Sequence, residues 1–212
     1  MVLTQWATSR WATKTAIHLV AGAPLAWLTG RVLLAPEALG ANPVAEVTDT
    51  LGLWALRLLL LTLALTPLRH LLKSSRPLLY RRMLGLWAAL YALLHLVMYV
   101  AVDQRVDGSV LLEDVLKRPW ITVGALAALI LAALAATSPG AVRRAMGRTW
   151  QRLHRAVYAA AVLGVWHYYW QVKKDVRAPL MYAAILFVLL LARVYHRRVR
   201  ATSAPATARG KT

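Results

Sequence analysis

Apolar residues come in blocks of close to twenty along this chain, broken by short polar connections. The blocks recur six times, over about 15–34, 51–68, 83–102, 120–137, 154–171 and 178–195. A helix of about 20 residues, rising about 1.5 Å per residue, spans the roughly 30 Å hydrocarbon core of a bilayer. The pattern therefore predicts an all-α integral membrane protein, a bundle of six transmembrane helices. The length of 212 residues would allow one or two soluble domains, but the connections are too short to hold one. The first block is long and lacks a small-residue cleavage site, so it reads as a retained helix rather than a signal peptide. The chain divides into an N-terminal segment (1–14), a six-helix domain (15–195) and a basic tail (196–212). The closing stretch "ATSAPATARGKT" is small and polar and is expected to be disordered.

Charge sets the orientation of these helices. The formal net charge of +18 is carried by alternate connections. Arg10 and Lys14 precede the first span, and Arg69, Lys73, Arg76, Arg81 and Arg82 follow the second. Arg143, Arg144, Arg148, Arg152 and Arg155 lie between the fourth and fifth, and Arg193, Arg197, Arg198, Arg200, Arg209 and Lys211 close the chain. Glu37, Glu46, Asp49, Asp103, Asp107, Glu113, Asp114 and Asp175 all fall in the other three connections. By the positive-inside rule the basic connections and both termini face the cytoplasm. The basic charge is thus topological, with anionic membrane lipid as its natural contact and no nucleic acid partner. The absence of cysteine rules out disulfides, thiolate-ligated iron and ordinary iron–sulfur clusters. No GxGxxG or GxxxxGK[ST] stretch marks a nucleotide domain.

Within this frame the histidines have depths. The third span enters from the cytoplasm near Arg82, which puts His95 about 20 Å further along, in the outer half of the membrane. The fifth span also enters from the cytoplasm, so His154 lies at the inner edge and His167 about 20 Å beyond it. His95 and His167 share a depth on two helices running the same way, the arrangement in which two imidazoles hold a b-type haem iron. Intramembrane ionisable groups are costly and usually functional. His18, His70 and His196, each a single histidine near a membrane end, read instead as hydrogen-bonding or snorkelling residues. His95 and Arg81, fourteen residues apart, project from one helix face. His154 and His167, thirteen apart, are more than a quarter turn out of phase on an ideal helix, which a distortion near Gly164 would correct. No second histidine faces His154, so Arg81, another group or nothing stands opposite it.

Three stretches, "RRMLGLWAALYALLHLVMY" (81–99), "KRPWITVG" (117–124) and "GRTWQRLHRAVYAAAVLGVWHYYW" (147–170), with "TPLRHL" (66–71), closely resemble the MsrQ family of haem-binding membrane subunits. That family belongs with the ferric reductase and NADPH oxidase transmembrane domains, and the resemblance extends over nearly all of 15–195. It implies a haem b electron conduit of the bacterial inner membrane in which His95, His154 and His167 are haem-associated. It also implies electron delivery to MsrP, a periplasmic molybdenum-cofactor enzyme that reduces methionine sulfoxide in oxidised proteins. The donor implied is the quinone pool or a cytosolic flavin reductase, with FMN as a further cofactor. Arg81 stands where the NADPH oxidases have a fourth histidine, which puts a second fully ligated haem in doubt, and no dehydrogenase domain is present.

The chain shows no paired carboxylates, nucleophile–base pair or oxyanion device, so no substrate chemistry of its own is expected. Trp166, Tyr168, Tyr169 and Trp170, with Tyr99, read as an outer interfacial belt or as a docking surface. Arg57, inside the second span, either snorkels or pairs with a haem propionate. Two other functions fit the residues: a stand-alone quinol-oxidising or ferric-reducing cytochrome b, and a proton channel or transporter using the histidines as a relay. The relay reading lacks intramembrane acids and an evident inverted repeat.

Overall fold

The computed structural model describes residues 2–104, 106–172 and 174–202, with side chains over the same range except 2–10, 197 and 200–202. Every regular element in it is helical: α1 (Val2–Leu34), α2 (Pro43–Leu71), α3 (Arg81–Val97), α4 (Gly108–Lys117), α5 (Pro119–Ala136), α6 (Gly140–Leu153), α7 (Val157–Gln171) and α8 (Arg177–Thr202). Short irregular helices join some of them: a 3-10 segment Arg76–Tyr80 before α3, a π segment Met98–Asp103 after it, and a 3-10 turn His154–Ala156 before α7. Five segments are long and apolar enough to cross a membrane: Trp11–Leu34, Pro43–Leu71, Arg76–Asp103, Pro119–Ala136 and Arg177–His196. The remaining block, 154–171, is a 3-10 turn followed by the 15 α-helical residues of α7. At about 2.0 and 1.5 Å per residue the two parts reach about 28 Å together.

Several boundaries differ from those the apolar pattern predicts. α2 begins at Pro43, because Asn42 caps it through Ala45 N and Pro43 supplies a preset φ at the first turn. Its start is tied to α1 by the Arg31–Glu46 ion pair at 2.6 Å, with Arg31 also donating to the Ala38 carbonyl. α8 runs on through basic residues assigned to the tail, as far as Thr202. Arg209, Lys211 and the rest of 203–212, where disorder is expected, lie outside the described residues. Two connections carry helices of their own. Asp107 caps α4 by accepting from Ser109 N and Val110 N, and the Ser109 hydroxyl and these N–H groups hold its carboxyl below its ordinary pKa. α6 is basic and amphipathic, carrying Arg143, Arg144, Arg148 and Arg152. It bends at Gly147, whose φ of 50° and ψ of −119° suit only a residue without Cβ.

α2, α3, α5 and α7 form a ring. α2 packs on α3 and α5 on α7 as two antiparallel hairpins, and α3 meets α5 while α2 meets α7. α3 and α7 are therefore diagonal. Small residues allow the close approach: Ala88, Ala160 and Ala161 are fully buried. α1 lies against α2 and α3, and α8 against α2 and α7. The outside stays apolar, with Leu19, Leu129 and Phe187 each more than 60% exposed, as helices facing lipid require.

Candidate functional site

Diagonal placement brings His95 of α3 and His167 of α7 together, with ring centroids 6.0 Å apart and planes at 76°. Each ring is held from behind by its own hairpin partner. His95 Nδ1 lies 2.8 Å from the Thr48 carbonyl on α2, and His167 Nδ1 lies 2.7 Å from the Trp120 carbonyl on α5. A carbonyl only accepts, so both Nδ1 atoms carry the proton and donate. Each Nε2 then keeps its lone pair, and neither has a hydrogen-bond partner among the described residues. In the neutral form, two imidazoles with Nδ1 tied in this way would present Nε2 as a donor pair to one metal ion. With bonds of roughly 2 Å, the length zinc makes to histidine, two imidazoles meeting one ion from opposite sides would have centroids about 6 Å apart. The pair fits a bis-histidine haem iron.

Four residues beyond each carbonyl, one helical turn on, stands a glycine against which the imidazole lies. A Cβ on Gly52 would come 2.9 Å from His95 Nδ1, and one on Gly124 would come 2.7 Å from His167 Cε1 and Nδ1. No larger residue fits without moving the ring. The two halves are also repeats in sequence: Thr48, Gly52, Pro67, Arg76, Ala88, Ala89 and His95 each lie 72 residues before Trp120, Gly124, Pro139, Arg148, Ala160, Ala161 and His167. Reading the sequence by apolar blocks misses Gly52, Gly124 and the two carbonyls. The signal that finds them is this direct repeat, a glycine 43 residues ahead of each histidine.

The opposite end is not symmetric. His154 Nε2 is 3.0 Å from the Thr137 hydroxyl at the end of α5, and its ring stacks on Trp150 at 3.9 Å. Trp150 in turn donates to the Thr137 carbonyl at 2.9 Å. No second histidine faces it. Arg81 is close enough to act on His154 electrostatically, yet it also lines a separate cavity with Thr66, Arg69, His70, Leu78, Arg193 and His196. The hydroxyl of Tyr158, one turn past His154, is buried with no hydrogen-bond partner among the described residues. α7 is regular from Val157 to Gln171, so no distortion near Gly164 corrects the phase. The break is the 3-10 turn at His154–Ala156, which overwinds the chain by about 20° per residue and removes part of the phase difference from His167.

Other residues singled out in the sequence settle as follows. His18 accepts from Trp87 Nε1 at 3.0 Å, as a structural histidine does. His70 and His196 are not single: their rings stack on each other at 4.2 Å. Arg57 is exposed on the ring's outer side, donating to the Tyr182 hydroxyl at 2.9 Å over the Trp54 face. Trp166, Tyr169 and Trp170 are exposed as a belt would be, whereas Tyr168 packs on Tyr182. Tyr99, in the π segment, donates to buried Asp114, which also pairs with Arg118 at 3.1 Å.

Comparison with known proteins bears on what this site is. The model of the ferric reductase like transmembrane component matches residues 51–165, from α2 to most of α7, ending two residues before His167. A protein of Xanthomonas axonopodis pv. citri (strain 306), named protein-methionine-sulfoxide reductase heme-binding subunit MsrQ, is 45% identical over 218 residues, covering 95% of this chain and 98% of its own. The chain belongs to the MsrQ family of ferric reductase-like transmembrane proteins. Family members so named in Xanthomonas euvesicatoria pv. vesicatoria (strain 85-10) and Caulobacter vibrioides (strain ATCC 19089 / CIP 103742 / CB 15) are each 46% identical. They match 95% and 89% of this chain, and 98% and 90% of their own lengths. The MsrQ likeness therefore takes in both hairpins and the helices packed around them.

Proposed function

We propose that this chain is the haem b-binding transmembrane subunit of a protein-methionine-sulfoxide reductase, in which His95 and His167 would hold the principal haem. The carrying observation is the facing pair of imidazoles, each with Nδ1 tied to a carbonyl and Nε2 free. Haem would supply one-electron chemistry between its ferric and ferrous states. The protein's part is to fix both imidazole tautomers, to close the space behind them with glycines, and to exclude water through the apolar ring. By this reading α7 with its 3-10 turn is the sixth span, and both termini lie in the cytoplasm of a bacterium whose inner membrane holds the protein.

His95 and His167 then lie toward the periplasm, next to exposed Trp166, Tyr169 and Trp170, where a soluble partner can dock. That partner is a periplasmic molybdenum-cofactor reductase of the MsrP kind. Electrons enter at the cytoplasmic end from the quinone pool or a cytosolic flavin reductase. His154, Arg81 and the unsatisfied Tyr158 hydroxyl are the groups there that would orient a second cofactor, a haem on His154 or an FMN whose phosphate meets Arg81. A guanidinium is effectively always protonated and cannot ligate iron, so Arg81 acts on an anion.

Optical spectroscopy of the purified protein in the absence and presence of donors tests this. The protein should show a reduced-minus-oxidised b-type spectrum. NADH or NADPH alone should leave the haem oxidised, and adding a flavin reductase or a quinol should reduce it. A colourless, fully inserted protein would overturn the haem reading, and rapid direct reduction by a nicotinamide would overturn the donor assignment.

A further inference from the structure

We propose that the cavity between the ends of α2 and α8 and the start of α3 binds the phosphate of an anionic phospholipid headgroup. It is lined by Thr66, Arg69, His70, Leu78, Arg81, Arg193 and His196, so three guanidiniums converge with two imidazoles and a hydroxyl, and among the described residues no carboxylate lines it. Like charges gathered in one concavity repel unless an anion joins them, and guanidiniums donate in a fork that matches phosphate oxygens. The groups are also fixed in place. Arg193 donates to the Thr66 hydroxyl at 3.4 Å and lies 4.7 Å over the Tyr158 ring, while His70 and His196 stack with planes at 22°.

Three observations favour a lipid over a soluble phosphate. The apolar spans that flank the cavity end at Leu71 and His196, so it lies at the height where hydrocarbon gives way to headgroups. Leu71, Leu72, Leu79 and Tyr195 beside it are 49–76% exposed, an apolar surface along which acyl chains can lie. Its volume of about 230 Å³ is below the roughly 300–1,000 Å³ of pockets that bury drug-sized molecules. A phosphate with its chains trailing outside fits better than a whole flavin. Basic pockets between transmembrane helices on the cytoplasmic side are sites of this kind. The inference takes only the leaflet from the proposed orientation, and its test does not depend on haem.

Full-length protein is placed in nanodiscs of phosphatidylcholine containing a minor fraction of phosphatidylglycerol, and retained lipids are counted by native mass spectrometry. Wild type should retain phosphatidylglycerol selectively. In Arg69→Gln/Arg193→Gln retention should fall about twenty-fivefold, the product of roughly fivefold for each arginine near an anionic headgroup. His70→Gln, which leaves the three guanidiniums and the Arg193–Tyr158 contact in place, is the second variant and should lower retention less; gel filtration checks that both fold. Inorganic phosphate and FMN are titrated into all-phosphatidylcholine discs to distinguish the source of the phosphate. Equal retention of both lipids, or unchanged retention in both variants, would overturn the proposal. So would saturable FMN or phosphate binding that the arginine pair abolishes while phosphatidylglycerol is not enriched.

Discussion

His95 and His167 occupy equivalent places on two copies of one hairpin, whereas the residue 72 positions before His154 is Arg82. At the first end each copy supplies the same three parts: a carbonyl, a glycine one turn later, and an imidazole between them on the antiparallel helix. At the other end one copy supplies an imidazole bound to Thr137, and the other supplies arginines. A metal ion midway between two repeats asks for identical donors, which the first end provides. The second end has one donor and fixed positive charge, which suits an anionic group beside a single imidazole. One fold element used twice thus yields a symmetric site at one end and an asymmetric one at the other.

Removing either imidazole of the facing pair should have the largest effect. His95→Ala or His167→Ala should each abolish most b-type absorbance while the protein still inserts, as read from haem-to-protein ratios. Next come the glycines behind the rings. Gly124→Ala places a methyl 2.7 Å from two atoms of His167 and Gly52→Ala places one 2.9 Å from a single atom of His95. Overpacking of this kind costs about 1–3 kcal/mol, so both should lower haem retention and shift the reduction potential, Gly124→Ala more. Equal wild-type behaviour of both would show that the rings are not held where the geometry puts them.

His154→Ala should leave the His95/His167 spectrum largely intact and slow reduction by the cytosolic donor in stopped flow. Arg81→Lys should weaken any inner cofactor, because an ammonium does not reproduce a bidentate fork. The smallest change is expected from Thr137→Val. It removes one hydrogen bond to His154, worth about 1 kcal/mol, and should alter the reduction rate modestly with no loss of haem. Loss of haem in that variant would instead make His154 a principal ligand.

Apolar blocks near twenty residues made most of the helices legible in the sequence, because bilayer thickness fixes the length of a span. Shared depth made the His95/His167 pair legible for the same reason. Helix ends were less so: Asn42 and Pro43 start α2 well before the apolar block, and the 3-10 turn before α7 follows no hydropathy signal. The contact between His70 and His196 was hidden because it joins α2 to α8 between residues 126 positions apart. Backbone carbonyls leave no mark in a residue pattern. Only the recurrence of glycine and histidine at a fixed interval could have pointed to Thr48 and Trp120.

Electron paramagnetic resonance of the ferric protein tests the pairing of His95 with His167 most directly. Two imidazoles on one iron give a low-spin ferric signal, and it should persist in His154→Ala and vanish in either His95→Ala or His167→Ala. Absence of a low-spin signal in the wild-type protein, or a low-spin signal that survives both of those substitutions and disappears with His154, would contradict the assignment.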